Sequence, residues 1–79
     1  MHPRYTPKEE QYLAFIYYYA KTHGYAPSEA DMQQYFRVTP PAVHQMVVRL
    51  TTKRLIEREP GVGRSIRLLL AREELPDLE

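Results

Sequence analysis

The sequence predicts a mainly α-helical domain that ends in a small β-hairpin. Before residue 56, three hydroxyl-bearing residues each precede a run of apolar residues at helical spacing, which indicates three helices. From residue 56 the apolar spacing becomes alternating, and a Pro-Gly turn interrupts that alternation. The expected order of elements is therefore helix, helix, helix, strand, strand.

The first helix is predicted over residues 7–22. Thr6 is a suitable N-cap, Pro7 fits the first helical position, and Glu9 completes a Thr-x-x-Glu capping box. Apolar and aromatic residues follow at helical spacing, with the aromatic ones flanking the stripe. Gly24 can adopt the left-handed conformation that ends a helix.

The second helix is short, at about residues 29–36. Ser28 is a good N-cap, and two acidic residues in the first turn favour the positive end of the helix dipole. Met32, Tyr35 and Phe36 are expected to form its apolar face.

The third helix is predicted over about residues 40–53, with Thr39 as its N-cap. Two prolines are tolerated there because the first amides of a helix have no intrahelical acceptor. A residue that precedes a proline is disfavoured in the α region, so the sequence leaves open a start at Pro40 or at Pro41. Val43, Met46, Val47 and Leu50 are spaced to face the core. The residues off that stripe are Pro41, Ala42, His44, Gln45, Val48 and Arg49.

A β-hairpin is predicted over residues 56–69, with its turn at residues 60–63. Only about two residues separate helices 2 and 3, so these helices must cross steeply, as in a helix-turn-helix motif, and the hairpin is then a wing. We expect residues 1–79 to form one winged helix-turn-helix domain, with a core at about 6–70 and a short acidic tail at 71–79.

Composition excludes several classes of function. The 79 residues include no cysteine, so we expect neither a disulfide framework nor a thiolate ligand. No segment is apolar enough to span a membrane and no signal peptide is visible, so the expected location is the cytoplasm. The three histidines lack metal-ligand spacing and no serine has a plausible base nearby. We therefore expect no metal, no cofactor and no catalysis.

The charge is unevenly distributed although the net charge is only +1. Residues 37–72 carry eight basic and two acidic residues, whereas residues 73–79 carry four acidic residues. A basic central segment is typical of a nucleic-acid face, and it also occurs on ordinary solvated surfaces.

From Thr6 to Leu69 the chain resembles the N-terminal DNA-binding domain of the LexA family, the repressors of the SOS response. The resemblance is densest at the start of the third helix, in Thr39-Pro40-x-Ala42. It is equally dense in the wing, which contains Ile56-Glu57, Gly61 and Arg64-x-Ile66-Arg67-Leu68-Leu69. The start of the second helix, Gly24-x-x-Pro27-Ser28, also fits. It implies that the third helix enters the major groove of DNA. The residues that match the family's contact positions are Thr39, Pro41, Ala42, His44 and Gln45, with Arg64 as the wing arginine.

The chain also departs from the family. Pro41 stands where the family usually has asparagine, and His44 and Gln45 stand where it usually has acidic residues. These departures imply a DNA site other than the SOS operator. The resemblance does not extend into the protease domain, so we expect neither self-cleavage nor dimerisation through that domain.

Residue chemistry adds to these expectations. Gln45 can pair with the edge of adenine, and His44 can donate to guanine, although either residue could instead be merely solvated. Ser28 could anchor a phosphate or act only as a cap, and the same choice applies to Thr39. Basic side chains that could contact phosphates are Arg49, Lys53, Arg54, Arg64 and Arg67. Arg64 could also enter a minor groove, and Lys53 and Arg54 could simply favour the helix dipole. Arg67 could instead pair with Glu57 or Glu59 across the hairpin.

Tyr17 and Tyr18 lie on one helix with Tyr19, and three consecutive residues cannot all face the core. We expect Tyr19 to contact the core, and Tyr17 and Tyr18 to lie mostly outside. Exposed aromatic residues favour interfaces, so a homodimer through helix 1 is a hypothesis, beside ordinary surface tyrosines.

Together these observations predict a transcriptional regulator that binds double-stranded DNA as a dimer. The alternative is a winged-helix module that binds another protein and no DNA, which the low net charge, Pro41 and the run Tyr17-Tyr18-Tyr19 favour.

Overall fold

A computed structural model describes residues 5–70. It contains three helices, α1 (Pro7–His23), α2 (Glu29–Phe36) and α3 (Pro40–Thr52), and two short strands, β1 (Ile56–Glu57) and β2 (Arg67–Leu68). The strands are antiparallel, with Ile56 opposite Leu68 and Glu57 opposite Arg67. The predicted order of elements is confirmed. The predicted tail at 71–79 lies outside the described residues.

The helix starts follow the predicted capping chemistry. Glu9 N donates to Thr6 Oγ1 at 3.2 Å while Thr6 N donates to Glu9 Oε1 at 2.8 Å, which is a complete capping box. Ser28 and Asp31 form a second capping box at α2, with distances of 2.9 and 3.1 Å. Gly24 ends α1 with a φ of 79°, as predicted.

The third helix begins at Pro40, which decides the open choice between the two prolines. Thr39 is the N-cap; its Oγ1 accepts from Ala42 N at 3.4 Å and its carbonyl accepts from Val43 N at 3.2 Å. Both prolines occupy positions whose amides would have no helical acceptor, so neither costs the helix a hydrogen bond.

The core lies between α1, α3 and the hairpin. The predicted stripe of α3 is buried, and it packs with Leu55, Ile56 and Ile66 from the wing region. Tyr12 and Phe15, expected only to flank the α1 stripe, also belong to this core. The Tyr12 ring stacks on Phe36, with centroids 4.2 Å apart. The face predicted for α2 is corrected at one residue: Tyr35 is 46% exposed, because α2 presents Met32 to the core and Tyr35 beyond its edge.

The hairpin is present, but its strands are much shorter than the alternating pattern predicted. Residues 58–66 form the connection, and Glu59 O accepts from Val62 N at 3.1 Å across a turn. Pro60 fixes the first central position of that turn, and Gly61 takes the left-handed conformation with a φ of 80°, as a type II turn requires. Ser65 Oγ accepts from Glu59 N at 2.9 Å, so side-chain bonds replace part of the strand ladder. We call residues 56–69 the wing.

No helix within residues 5–70 is long and apolar enough to cross a lipid bilayer.

Candidate nucleic-acid interface

The solvent side of α3 is a continuous uncharged or basic surface. The buried side of α3 is formed by Val43, Met46, Val47 and Leu50. On the opposite side, seven residues are exposed, and we call them the outer face: Pro41, Ala42, His44, Gln45, Val48, Arg49 and Thr52. The helix contains no acidic residue, so nothing within it repels an approaching phosphate.

The outer face contains most of the residues that the sequence singled out. The structure brings Pro41, Ala42, His44 and Gln45 together on two successive turns of α3, with Thr39 exposed at its N-cap. Val48 belongs to the same face and is 42% exposed, although sequence reasoning gave it no role. Its position four residues after His44 is the signal that could have identified it.

The outer face adjoins the N-terminus of α2. The Nδ1 atom of His44 lies 3.6 Å from Oε1 of Glu29, so this side of the imidazole faces the carboxylate. Glu29 and Ser28 in turn line a cleft whose other wall is the wing, including Arg58 and Gly63. The outer face, the start of α2 and the wing therefore form one surface.

Arg58 is a second residue that sequence reasoning left without a role. It was assigned only to a strand, whereas it lies in the connection of the wing and lines the cleft. The sequence feature that could have identified Arg58 is its position among the basic residues of the central segment, 37–72.

The basic residues at the C-terminal end of α3 converge on a buried acid. The Glu9 side chain is fully buried, yet its Oε1 accepts from Lys53 Nζ at 2.8 Å. Arg49 Nη1 lies 3.6 Å from Glu9 Oε2, and that oxygen has no hydrogen-bond partner among the described residues. The charged groups of Lys53 and Arg49 thus both lie next to the Glu9 carboxylate, and both side chains remain partly exposed to solvent.

Several contacts decide the pKa of Glu9. Burial alone would raise this pKa, but the Lys53 hydrogen bond, the Thr6 amide and the two positive charges together lower it below its ordinary value. The carboxylate is therefore ionised at neutral pH, and it holds the end of α3 against the start of α1.

The wing arginine lies against the body of the domain. Arg64 Nη1 donates to Asp31 Oδ2 and to Ala26 O, each at 3.0 Å, and to the Tyr19 hydroxyl at 3.3 Å. The guanidinium carbon also lies 4.8 Å from the centroid of the Tyr25 ring. Arg67, in contrast, forms an ion pair with Glu57 on the facing strand, one of the two partners that the sequence suggested.

The tyrosines of α1 differ from expectation. Tyr17 and Tyr18 are both only partly exposed, so the prediction that they lie mostly outside is wrong. Tyr17 packs against the core, as Tyr19 does, and its ring meets the edge of Tyr18 at a centroid distance of 5.0 Å. The broad aromatic core explains this, because it extends around α1 beyond a single narrow stripe.

Within residues 5–70 there is no cluster of three or more side chains suited to hold a metal ion.

Three helices, a short joint between α2 and α3, and an antiparallel hairpin after α3 define a winged helix-turn-helix domain. A family model described as the LexA DNA binding domain matches residues 3–65, and the chain belongs to this family.

Curated relatives agree with the family model. The chain is 37% identical to a LexA repressor of Thermosipho melanesiensis over 70 residues, which cover 89% of this chain and 35% of that protein. It is 38% identical to a LexA repressor of Thermosipho africanus over 64 residues, covering 81% and 32%. A LexA repressor of Thermotoga neapolitana is 35% identical over 63 residues, covering 80% and 32%. The chain thus spans about a third of the length of these relatives.

Proposed function

We propose that this protein is a transcriptional regulator that binds duplex DNA, with α3 in the major groove and the wing beside the phosphate backbone. The outer face of α3 carries the proposal, because it is exposed, free of acids and connected to the wing cleft through Glu29 at the start of α2. Membership of the LexA DNA binding domain family supports it. An α-helix fits the width of the major groove, where each base pair presents a distinct pattern of donors and acceptors.

The outer face has two side chains able to read bases through hydrogen bonds. Gln45 can bind the N6 and N7 edge of adenine with both atoms of its amide. His44 has Nδ1 directed toward Glu29, so Nε2 is the atom available to a base. Pro41, Ala42 and Val48 supply apolar contacts suited to thymine methyl groups. We therefore infer an operator that includes A·T pairs under the first turns of α3.

Affinity that does not depend on sequence would come from phosphate contacts. Arg49 is half exposed on the outer face, and Ser28 caps a helix whose first amides border the wing cleft. Lys53 keeps part of its side chain exposed while it binds Glu9. These residues are proposed as phosphate contacts on either side of the groove.

One such module buries little DNA surface, so a second copy would raise affinity and define a two-fold symmetric site. We infer a homodimer through α1, where Tyr17 and Tyr18 each keep part of their surface accessible. This arrangement rests on the aromatic composition of that surface, since aromatic residues are enriched at interfaces.

The direct test is the salt dependence of binding to random-sequence duplex DNA. We expect affinity to fall steeply with salt, and Arg49→Ala to reduce the slope of log K against log salt by about one. Lys21→Ala is the matched control, because Lys21 lies in the groove between α1 and β2, away from α3. Absence of binding even at low salt would refute the proposal and favour a protein-binding module instead.

Sequence readout is tested separately by selecting sites from a random DNA library. Gln45→Ala should relax the base preference at one position and weaken the selected site by about 1–3 kcal/mol, with little change on random DNA. Equal losses on both DNAs would contradict a base-reading role for Gln45.

A further inference from the structure

Arg64 occupies an unusual place for a wing residue. It lies in the long connection of the wing, with a left-handed φ of 57°, which a residue with a side chain rarely adopts. Its guanidinium nevertheless reaches α1, α2 and the loop between them, where Nη1 lies within hydrogen-bond distance of Tyr19, Asp31 and Ala26. A strained backbone is retained when surrounding contacts over-determine it, and here those contacts come from the body of the domain.

The acceptor at the centre of these contacts is already part of a structural motif. Asp31 Oδ2 accepts from Ser28 N at 2.9 Å in the capping box of α2 and also from Arg64 Nη1 at 3.0 Å. The Ser28 amide, followed by further contacts that include the Arg64 charge, lowers the pKa of Asp31 below its ordinary value. One oxygen thus connects the start of α2 directly to the wing.

The turn of the wing is less firmly held than its strands. β1 and β2 contribute two residues each, and nine residues connect them. Ile56 and Ile66 are in the core, whereas residues 59–64 are exposed, and a Cβ at Gly61 or Gly63 would meet no other atom within 4 Å. A short ladder and an exposed turn leave the orientation of the turn to contacts such as those of Arg64.

We propose that Arg64 is a positioning residue of the DNA interface: its contacts with Asp31, Ala26 and Tyr19 fix the wing in the orientation that DNA requires. This inference rests on the proposed function and changes the role expected of Arg64 from the resemblance, where the wing arginine would contact DNA. Ordering the wing before DNA arrives lowers the entropic cost of binding. Arg64 acts here through the wing and does not need to touch a phosphate.

Asp31→Asn should change DNA affinity in opposite directions, depending on whether Arg64 positions the wing or contacts a phosphate. Loss of a negative charge near the DNA would by itself tighten binding, whereas loss of the Arg64 contact would weaken it. We expect binding to weaken by roughly fivefold to tenfold, the effect of losing the negative charge that strengthens the Arg64 hydrogen bond. The asparagine oxygen still accepts from Ser28 N, so the helix cap is kept while the bond to Arg64 becomes one to a neutral acceptor. Glu59→Gln is the matched control, since it removes a negative charge from the wing without touching Arg64, and it should bind at least as tightly as wild type.

Arg64→Lys and Arg64→Ala separate positioning from phosphate contact. A lysine keeps the charge, but its ammonium lies one bond closer to the backbone than Nη1 and it lacks the planar guanidinium that lies over the Tyr25 ring. Both variants should therefore weaken binding alike and leave the salt slope unchanged. Asp31→Asn combined with Arg64→Lys should lose no more than either change alone. A salt slope that falls by about one in Arg64→Ala and is kept in Arg64→Lys would overturn the proposal. Asp31→Asn binding as tightly as Glu59→Gln would also overturn it.

Amide hydrogen exchange measures the stability of the wing turn without DNA. The Val62 amide, which donates to Glu59 O, should exchange at least fivefold faster in Asp31→Asn and Arg64→Lys, while the amides of α3 keep their protection. Unchanged exchange at Val62 would overturn the positioning role even if DNA binding is present. Faster exchange with no DNA binding in wild type would refute the proposed function and leave the contact between the wing and α2 established.

Discussion

Replacing Lys53 by methionine tests how much the buried acid beneath α3 contributes to stability. The change removes the donor 2.8 Å from Glu9 Oε1 and keeps most of the apolar stem. Removing one partner of a buried ion pair costs about 3–5 kcal/mol. Here the cost is smaller because Thr6 N still donates to Oε1 and Arg49 still lies 3.6 Å from Oε2. We expect the free energy of unfolding at pH 7 to fall by about 2 kcal/mol, below that range for these reasons.

The same variant should show a characteristic dependence on pH. The pKa of Glu9 in the folded protein is lowered, so its ionised form adds stability above about pH 4.5, its ordinary value, and this stability is lost as pH falls through the folded pKa. Without Lys53 the burial of Glu9 remains while the main opposing contact is gone, so this pKa rises. The difference in unfolding free energy between wild type and variant should therefore be full at pH 7 and shrink as pH falls from the raised pKa of Glu9 in the variant toward its lowered pKa in wild type.

Urea unfolding followed by circular dichroism, repeated from pH 7 to pH 3, measures both effects. In a domain of this size a loss of 2 kcal/mol also lowers Tm by roughly 8–16 °C. Lys8→Met is the control, because Lys8 is an exposed cation near the start of the same capping box and should change stability by less than about 0.5 kcal/mol. A loss below about 0.5 kcal/mol in Lys53→Met, with no change between pH 7 and pH 3, would refute the reasoning.

Three other predictions concern two helix ends and the proposed dimer. Arg37 ends α2 with a φ of 56°, so Arg37→Gly should raise the free energy of unfolding by about 0.5–1 kcal/mol, measured by urea unfolding. Ser28→Ala removes the acceptor for Asp31 N and should cost about 1 kcal/mol, whereas Ser28→Asn should restore most of it; equal losses in both variants would argue against the cap. Tyr17→Ser combined with Tyr18→Ser should reduce the dimer proposed through α1 to monomers in sedimentation equilibrium, and an unchanged mass in a folded double variant would exclude that interface.

The local sequence was sufficient to predict the elements and the outer face. Thr6, Ser28 and Thr39 cap their helices as expected, because a capping bond joins residues only three apart and needs no tertiary context. The buried stripe of α3 follows equally from helical geometry, and with it the exposure of His44 and Gln45. The sequence was less informative for the strands, since the alternation from residue 56 holds over a region where the chain forms loop bonds through Ser65 instead.

Tertiary structure alone decided which charged groups meet. Glu9 and Lys53 are 44 positions apart, and Asp31 and Arg64 are 33 apart, so no local rule relates them. As a sequence feature Glu9 was a capping residue; folding also buries it beneath α3 and makes it the partner of Lys53. The sequence by itself thus determined the helices, their caps and the face they expose, because these depend on neighbours along the chain. The fold decided the contacts of Arg64, Lys53 and the α1 tyrosines, because burial and long-range ion pairs exist only once the helices and the wing have packed.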